Sequence, residues 1–462
     1  MVNEGEELGS GMCSTVTKAK VKGAGEDAEI FFIKRIAGEM IWTADNELPG
    51  LELAGNYPGV VKCYKIYDNR GHADEKEHAV SFVLELVEGG YLEGWLQQNH
   101  ADGTYLSKDQ WIKWSLQMAE TVSVVHDRFY MIHCDLHQKN WLLTKENDMI
   151  LADFGCSRVI GPGGKVPVGT KVFYADMHSP PEMQYPEGTS FFTATTKEEF
   201  DFRGDVFQTA FAMQCMLVQG EWIMHRPTPN NYGQDVVDLI AWMKSPDQKD
   251  RPYMREVKER LLQLKANYEA NKEKPFVPSL DGLFKGDLTK QHAKLSAFRQ
   301  TLPAFFPESI TDEEKEFHDH LDELRADGDP VPVDSDGYQG SYLGQFSRKG
   351  KFDGRGVLLQ KRSLYEGFFK DGKKFGRGRE VKLSFGSPFI KVIEGSYADG
   401  GVAQGEFTET FHAISKEQPA QTIVRTYEYA SGVIQNERDA QVTYADGTTA
   451  GGQLESMIEI VA

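Results

Sequence analysis

Apolar and polar positions divide this chain into two textures. In the first, Phe31-Phe32-Ile33-Lys34-Arg35-Ile36 is an apolar run that carries Lys34 and reads as a buried strand. Val80-Ser81-Phe82-Val83-Leu84-Glu85-Leu86-Val87 reads as another, stopping at Gly89-Gly90. Asp205-Val206-Phe207 opens a long apolar helix, and Met254 to Tyr268 has the spacing of an amphipathic one. The first texture thus mixes strands and helices. The second texture begins at Tyr338. Tyr338-Gln339-Gly340-Ser341-Tyr342, Tyr365-Glu366-Gly367-Phe368-Phe369 and Ile393-Glu394-Gly395-Ser396-Tyr397 recur every 27 to 28 residues. Turn residues separate them, as in Lys370-Asp371-Gly372-Lys373, so the pattern predicts β-hairpins. One hairpin cannot bury its own face, so several must stack, giving an all-β array over 337–450. Residues 451–462 are left as a tail or cap.

Between the two lies a predicted linker, 271–336, punctuated by Pro275, Pro278, Pro303 and Pro307 and strongly acidic from Glu308 to Asp336. Thr311-Asp312-Glu313-Glu314 is a helix-start signal, and Phe317, Leu321 and Leu324 follow at helical spacing. A solvated spacer holding a short amphipathic helix is the expectation.

A length of 462 residues makes one domain implausible. No stretch of about 20 apolar residues predicts a membrane span. The acidic start, Met-Val-Asn-Glu-Gly-Glu-Glu, does not read as a secretory signal, and Val2 stands where myristoylation needs glycine. Cys13, Cys63, Cys134, Cys156 and Cys215 lack metal-ligand spacing and fit the reduced thiols of a cytoplasmic enzyme. The net charge of −19 weighs against nucleic acid as a partner. One basic cluster stands out: Arg348, Lys349, Lys351, Arg355, Lys361, Arg362, Lys370, Lys373, Lys374, Arg377, Arg379 and Lys382. It could face anionic lipid, peripheral to a membrane, or a protein partner. A solvated face, or one meeting the acidic linker in cis, is the simpler reading.

The chemistry sits in Ile132-His133-Cys134-Asp135-Leu136-His137-Gln138-Lys139-Asn140 and Ala152-Asp153-Phe154-Gly155. Asp135, Asn140 and Asp153 provide what phosphoryl transfer requires. One carboxylate orients a hydroxyl, and an amide and a second carboxylate hold magnesium. The two stretches resemble the catalytic and metal-binding loops of eukaryotic protein kinases. The resemblance implies a bilobal α+β kinase fold over residues 1–270, ATP and Mg2+ as cofactors, and a protein substrate. It implies that Leu8-Gly9-Ser10-Gly11, with Val16, covers the phosphates, although Ser14 replaces the third glycine. Lys34 would hold phosphate and pair with a glutamate. Glu39, Glu47 and Glu52 are candidates, and Glu47 is chosen because it is best placed ahead of Tyr57-Pro58-Gly59-Val60-Val61. Pro49 and Gly50 predict that its helix is short or kinked. Backbone groups of Glu85 and Val87 would bind adenine, with Leu84 lining the back of the pocket. Ser179-Pro180-Pro181-Glu182, Asp205 and Arg251 resemble the family's bracing residues.

Two departures matter. Cys134 stands where the family often has an arginine that grips activation-loop phosphate, so phosphorylation at Thr170 or Tyr174 is not expected to be the main switch. His137 stands where serine/threonine kinases commonly carry lysine, a form shared with aminoglycoside- and choline-type phosphotransferases. Serine/threonine specificity is expected. The alternatives are an inactive scaffold and a small-molecule kinase. The hairpins resemble MORN repeats, which implies a twisted, elongated sheet used for localisation or partner binding.

Overall fold

The computed structural model describes all residues except 1, 11–13, 22–28, 73, 75–77, 101–105, 171–177, 184–194, 197, 218–231, 273–289, 307–323, 326–330, 336–337, 348–349, 384–388, 415–419, 438–439, 445 and 453–462. The chain divides into two compact units, one of residues 1–228 and 235–268, the other of 229–234 and 269–462.

The first unit opens with an antiparallel sheet of β1 (Val2–Ser10), β2 (Thr15–Val21), β3 (Ile30–Ala37), β4 (Cys63–Asp68) and β5 (Ala79–Glu85), in the order β1-β2-β3-β5-β4. The apolar runs form the central strands β3 and β5, where Ile36, Val80 and Phe82 are fully buried. A three-ten turn, Gly38–Thr43, leads from β3 into α1 (Ala44–Ala54). Pro49 lies inside α1, which continues for five more residues despite the backbone bond that proline gives up. Gly50 is there for space, since a Cβ would fall 2.7 Å from the Cβ of Phe154.

The rest of this unit is helical: α2 (Leu92–His100), α3 (Lys108–Asp127), α4 (Arg203–Cys215), α5 (Gln234–Met243) and α6 (Met254–Lys272). Two small antiparallel strand pairs, β6 (Met131–Ile132) with β9 (Arg158–Val159) and β7 (Trp141–Leu143) with β8 (Met149–Leu151), flank the polar loops of the site. The Oγ of Ser107 caps α3 by accepting from the backbone N–H of Gln110 at 3.2 Å. Trp111, Trp114, Met118, Val122 and Val125 then bury one stripe of that helix. α4 is buried nearly all round, which explains why it lacks a polar face.

The second unit begins with α7 (Lys290–Arg299) and holds a twelve-stranded antiparallel sheet. Its strands are β10 (Leu324–Arg325), β11 (Val331–Ser335), β12 (Tyr338–Phe346), β13 (Phe352–Gln360), β14 (Ser363–Lys370), β15 (Lys373–Leu383), β16 (Phe389–Ala398), β17 (Val402–Ala413), β18 (Ala420–Ala430), β19 (Val433–Glu437), β20 (Ala440–Tyr444) and β21 (Thr449–Gly452). The hairpin signal at Asp371-Gly372 forms a tight turn with both residues at positive φ, 49° and 83°.

Three sequence expectations change here. Leu324, read at helical spacing, is in strand β10 paired with β12, and Val331–Ser335 also pairs with β12 rather than lying in a spacer. Thr311 to Glu314, Phe317 and Leu321 lie outside the described residues. The repeat phrase also shifts. Tyr342, not Tyr338, is the counterpart of Tyr365, because each lies over a cross-strand glycine pair: Gly344 with Gly356, and Gly367 with Gly378. Two overlapping Tyr-x-Gly phrases, at 338 and 342, hid this from the sequence, and the spacing of the first two units is 23 residues.

The basic cluster is not one outward strip. Arg355 is fully buried, with its guanidinium 5.5 Å from the ring centre of Phe306. Arg379 donates to Glu366 at 2.8 Å and to the carbonyl of Pro303 at 2.9 Å. Lys374 pairs with Glu380 at 3.0 Å, while Lys351, Lys361, Lys373 and Arg377 stay exposed. Leu295, Phe305 and Phe306 cover this face of the sheet, packing with Leu343, Val357, Leu364 and Val381.

At Gly378 a Cβ would lie 2.2 Å from the Tyr365 hydroxyl oxygen. Gly378→Val is therefore expected to displace Tyr365 and cost about 1–3 kcal/mol, read as a lower urea midpoint for the sheet's transition. An unchanged midpoint would mean that the tyrosine needs no glycine pair beneath it.

Candidate active site

Strand β3 places Lys34 on the inner side of the sheet, where the residue is 8% exposed. A lone ammonium there would be costly. It is instead shared: Nζ lies 2.7 Å from Oε1 of Glu47 on α1 and 2.8 Å from Oδ1 of Asp153. Of the three candidate glutamates, Glu47 is the one brought to Lys34.

The charges respond to this arrangement. Burial lowers Lys34, but the two carboxylates outweigh it and hold its pKa above the ordinary lysine value. Burial pushes Glu47 up to about 7, with Lys34 opposing and Asp153 adding to the rise. One Glu47 oxygen, Oε2, has no hydrogen-bond partner among the described residues. For Asp153, desolvation by the surrounding protein raises the pKa and Lys34 outweighs it, so the carboxyl sits below the usual range. Its side chain is still 47% exposed, so it remains open to the cleft.

α1 is tied to the loop that carries Asp153. The Asn46 side-chain amide donates to the carbonyl of Gly155 at 3.0 Å, and the Ser157 hydroxyl donates to the carbonyl of Asn46 at 3.1 Å. Phe154 is fully buried, its ring 4.9 Å from that of His133. Asp153 itself has a φ of 62°, a rare backbone state for a residue with a side chain.

Asp135 lies on the neighbouring loop. Oδ2 accepts from Nδ2 of Asn140 at 3.0 Å, and the same amide nitrogen donates to the Asp135 carbonyl at 2.8 Å. Nε2 of His137 and Nε2 of His178 lie 3.4 and 3.2 Å from Oδ1. Burial raises the Asp135 pKa, but the two imidazoles outweigh it and hold the carboxyl well below its ordinary range. The three ligand atoms lie within 4.8 Å of one another, the spacing of a two-histidine, one-carboxylate metal site. However, Nδ1 of His137 accepts the backbone N–H of Lys139 at 3.2 Å. That leaves the neutral ring's proton on Nε2, where a metal would need a lone pair.

The loop's shape is held from α4. Asp205 accepts the backbone N–H groups of His133 at 2.7 Å and Cys134 at 2.8 Å, and lies 2.9 Å from Nε2 of His126. Gln208 accepts from the N–H of Leu136 and donates to the carbonyl of Cys134. These bonds fix Cys134 at a φ of 65°. Arg251 meets Glu182 through two parallel bonds of 2.5 and 2.9 Å, as the bracing motifs implied.

A cavity of about 650 Å³ opens beside Lys34 and Asp153. Val16, Leu84, Val87 and Leu142 give it an apolar wall, and Lys34, Glu47, Asn140 and Asp153 line it too. Glu85 also lines it. Its backbone N–H is taken by the carbonyl of Lys62, so the group it can offer a ligand is its carbonyl. Leu8, Gly9 and Ser10 end strand β1, with Gly9 paired to Val16 across the hairpin, while Gly11 lies outside the described residues. The sequence reading missed His178, Gln208 and His126. Gln208 and His126 lie on the apolar faces of long helices, and His178 carries no spacing signal. The proline-rich phrase next to His178, through Glu182, was the one available pointer.

Residues 2–262 match the family described as the protein kinase domain. Among curated proteins, the chain is 28% identical over 161 residues to the probable serine/threonine-protein kinase MARK-C of Dictyostelium discoideum, covering 34% of this chain and 20% of that protein. It is 30% identical over 162 residues to the serine/threonine-protein kinase PKH3 of Eremothecium gossypii, covering 34% and 20%. It is 28% identical over 196 residues to the mouse death-associated protein kinase 2, covering 40% and 46%. The chain thus spans between a fifth and a half of the length of these relatives.

Proposed function

Because the chain belongs to the protein kinase family, we propose that it transfers the γ-phosphoryl of magnesium-bound ATP to a serine or threonine hydroxyl of a protein. The observation that carries this reading is Lys34, held between Glu47 and Asp153 on the wall of the same cavity as Asn140. The apolar wall of Val16, Leu84, Val87 and Leu142 suits a flat, uncharged base, and the polar end suits phosphates and a cation. The residues present therefore fit ATP and Mg2+. Magnesium, when bound, neutralises charge on the phosphates.

In this mechanism Lys34 holds phosphate oxygens while Glu47 fixes its direction. Asp153 and Asn140 would supply the oxygen ligands for the metal. Asp135 accepts a hydrogen bond from the acceptor hydroxyl and orients it in line. The carbonyl of Glu85 and the backbone of Val87 would receive the base, and Gly9 at the end of β1 would lie over the phosphates. A protein acceptor is favoured over a small molecule by the Glu182–Arg251 fork, which anchors a segment beside Asp135. The names of the similar proteins support serine or threonine.

For the sheet we propose a MORN-type array that localises the enzyme or selects partners. The support is the repeated placement of Tyr342 and Tyr365 over cross-strand glycine pairs. Among the described residues no helix is long and apolar enough to cross a membrane. Cytoplasmic residence, and lipid contact through exposed Lys351, Lys361, Lys373 and Arg377, belong to this proposal.

The test uses the full-length protein, Mg-ATP labelled at the γ-phosphate, and generic protein acceptors. Transfer is expected, and is expected to vanish on metal chelation and in Asp135→Ala and Asp153→Ala. ATP binding with no transfer to any protein acceptor would overturn the kinase reading in favour of a scaffold or a small-molecule kinase.

A further inference from the structure

We propose that His178 is a positioning residue for this reaction: its imidazole N–H, with that of His137, holds Oδ1 of Asp135 and leaves Oδ2 to face the acceptor hydroxyl. The inference rests on the phosphoryl-transfer reading above. A carboxylate offers about four lone-pair sites, two on each oxygen. Nε2 of His178 bonds to Oδ1 at 3.2 Å, and Nε2 of His137 lies 3.4 Å from the same oxygen. Asn140 takes one site on Oδ2, at 3.0 Å. The other site on Oδ2 remains for a hydroxyl, in a direction set by how these groups hold the carboxylate.

The tautomers agree with this. An ionised carboxylate only accepts, so each nitrogen facing it carries a proton. For His137 the opposite nitrogen already accepts the N–H of Lys139, which fixes the proton on Nε2. The ring of His178 is held in turn by its packing, 4.7 Å from the His137 ring and 6.1 Å from that of Phe211. His178 is 7% exposed, so its contact with Asp135 is sheltered from competing water.

His178 also joins two parts of the unit. It lies four residues before Glu182, whose carboxylate is gripped by buried Arg251. The order of this segment therefore reaches Asp135 through an imidazole. No phosphate is needed, which suits a chain with Cys134 before its key aspartate.

Two variants of the whole chain separate positioning from packing. His178→Phe keeps a flat ring against His137 and Phe211 but has no N–H. His178→Gln keeps an N–H donor of similar reach. His178→Phe is expected to lower kcat about 100-fold, the scale of a small misplacement, with KM for ATP unchanged. His178→Gln should recover most of that loss. A His178→Phe variant with undiminished kcat, or a glutamine variant no better than phenylalanine, would overturn the proposal. The second arm needs no activity. With imidazole 15N labelling, the unsubstituted protein should show a hydrogen-bonded N–H proton assigned to His178 that disappears in Asp135→Ala. Its absence from the unsubstituted protein would overturn the contact whether or not the protein transfers phosphate. No transfer with that resonance present would count against the kinase reading and leave the contact standing.

Discussion

Lys34→Met is expected to lower kcat by about 10²–10³, the scale for removing one aimed electrostatic donor, and to make the first unit's stability fall as pH rises through neutrality. The ammonium of Lys34 is the shared counter-charge of Glu47 and Asp153, at 2.7 and 2.8 Å. Removing one partner of a buried pair costs about 3–5 kcal/mol when the other stays charged. Glu47 need not stay charged. Burial already lifts its pKa to about 7, and Lys34 is what restrains it. A carboxyl whose folded pKa lies above its unfolded value favours the fold below the unfolded value, and that advantage is lost as pH rises through the folded one. Without Lys34 the folded value climbs further and the loss deepens. The deficit against the unsubstituted protein should therefore be smallest near pH 5 and largest near pH 8. Asp153 loses the same counter-charge, and with Lys34 gone its burial raises its pKa as well, adding to the slope in the same direction. Urea unfolding at both pH values reads the effect. Adding Glu47→Gln should remove the Glu47 share of the pH dependence without restoring transfer. A deficit that is the same at pH 5 and pH 8 would rule out the buried-carboxylate account.

The parts of this site that could be read from sequence share one property. Their chemistry is carried by short, fixed spacings, or by a residue out of place in its surroundings. A lysine inside an apolar strand had to have a partner, and Asp135, Asn140 and Asp153 fall within one stretch of 19 residues. Glu182 and Arg251 were legible because their motifs come in order. His178 was not legible. It lies 43 residues from Asp135 in a segment without periodicity, and only the fold brings it back. Pro49 misled in a different way. Its propensity argued for a short or kinked helix, while tertiary contacts of Asn46 and Gly50 with the Asp153 loop favour a continuous one.

The sheet shows the same division. Its hairpins were legible because Asp371-Gly372 permits the tight turn that alternating strands require. Its covering was not. Leu295, Phe305 and Phe306 lie in a proline-punctuated region that reads as a spacer, yet they are buried against Leu343, Val357 and Val381. Arg355 and Arg379, read as part of a solvated face, proved to be partners of that covering. Arg379 meets Glu366 at 2.8 Å, where Arg299 also arrives at 2.6 Å, and Arg355 lies beneath Phe306. Charge counted along the sequence cannot separate these from exposed lysines, because strand alternation places neighbours on opposite faces.

Arg251→Ala is expected to destabilise the first unit by about 3–5 kcal/mol, a large share of the roughly 5–15 kcal/mol that holds a typical domain folded. The guanidinium is buried and uses nearly every donor. It meets both oxygens of Glu182 and donates to the carbonyls of Ser245 at 2.7 Å and Pro246 at 3.0 Å. It also lies 5.0 Å from the ring centre of Phe207. Alanine leaves a buried carboxylate and two carbonyls without their partner. Arg251→Lys keeps the charge but not the fork, so an intermediate loss is expected. Arg251→Leu with Glu182→Met removes both charges and should recover much of the stability, measured as urea midpoint. It should not recover transfer. Glu182 anchors the segment that carries His178, and an apolar pair holds that segment without the directional bonds of the fork. Stability restored with kcat still depressed would separate the two tasks of this ion pair. Full recovery of both would mean that the fork only fills space.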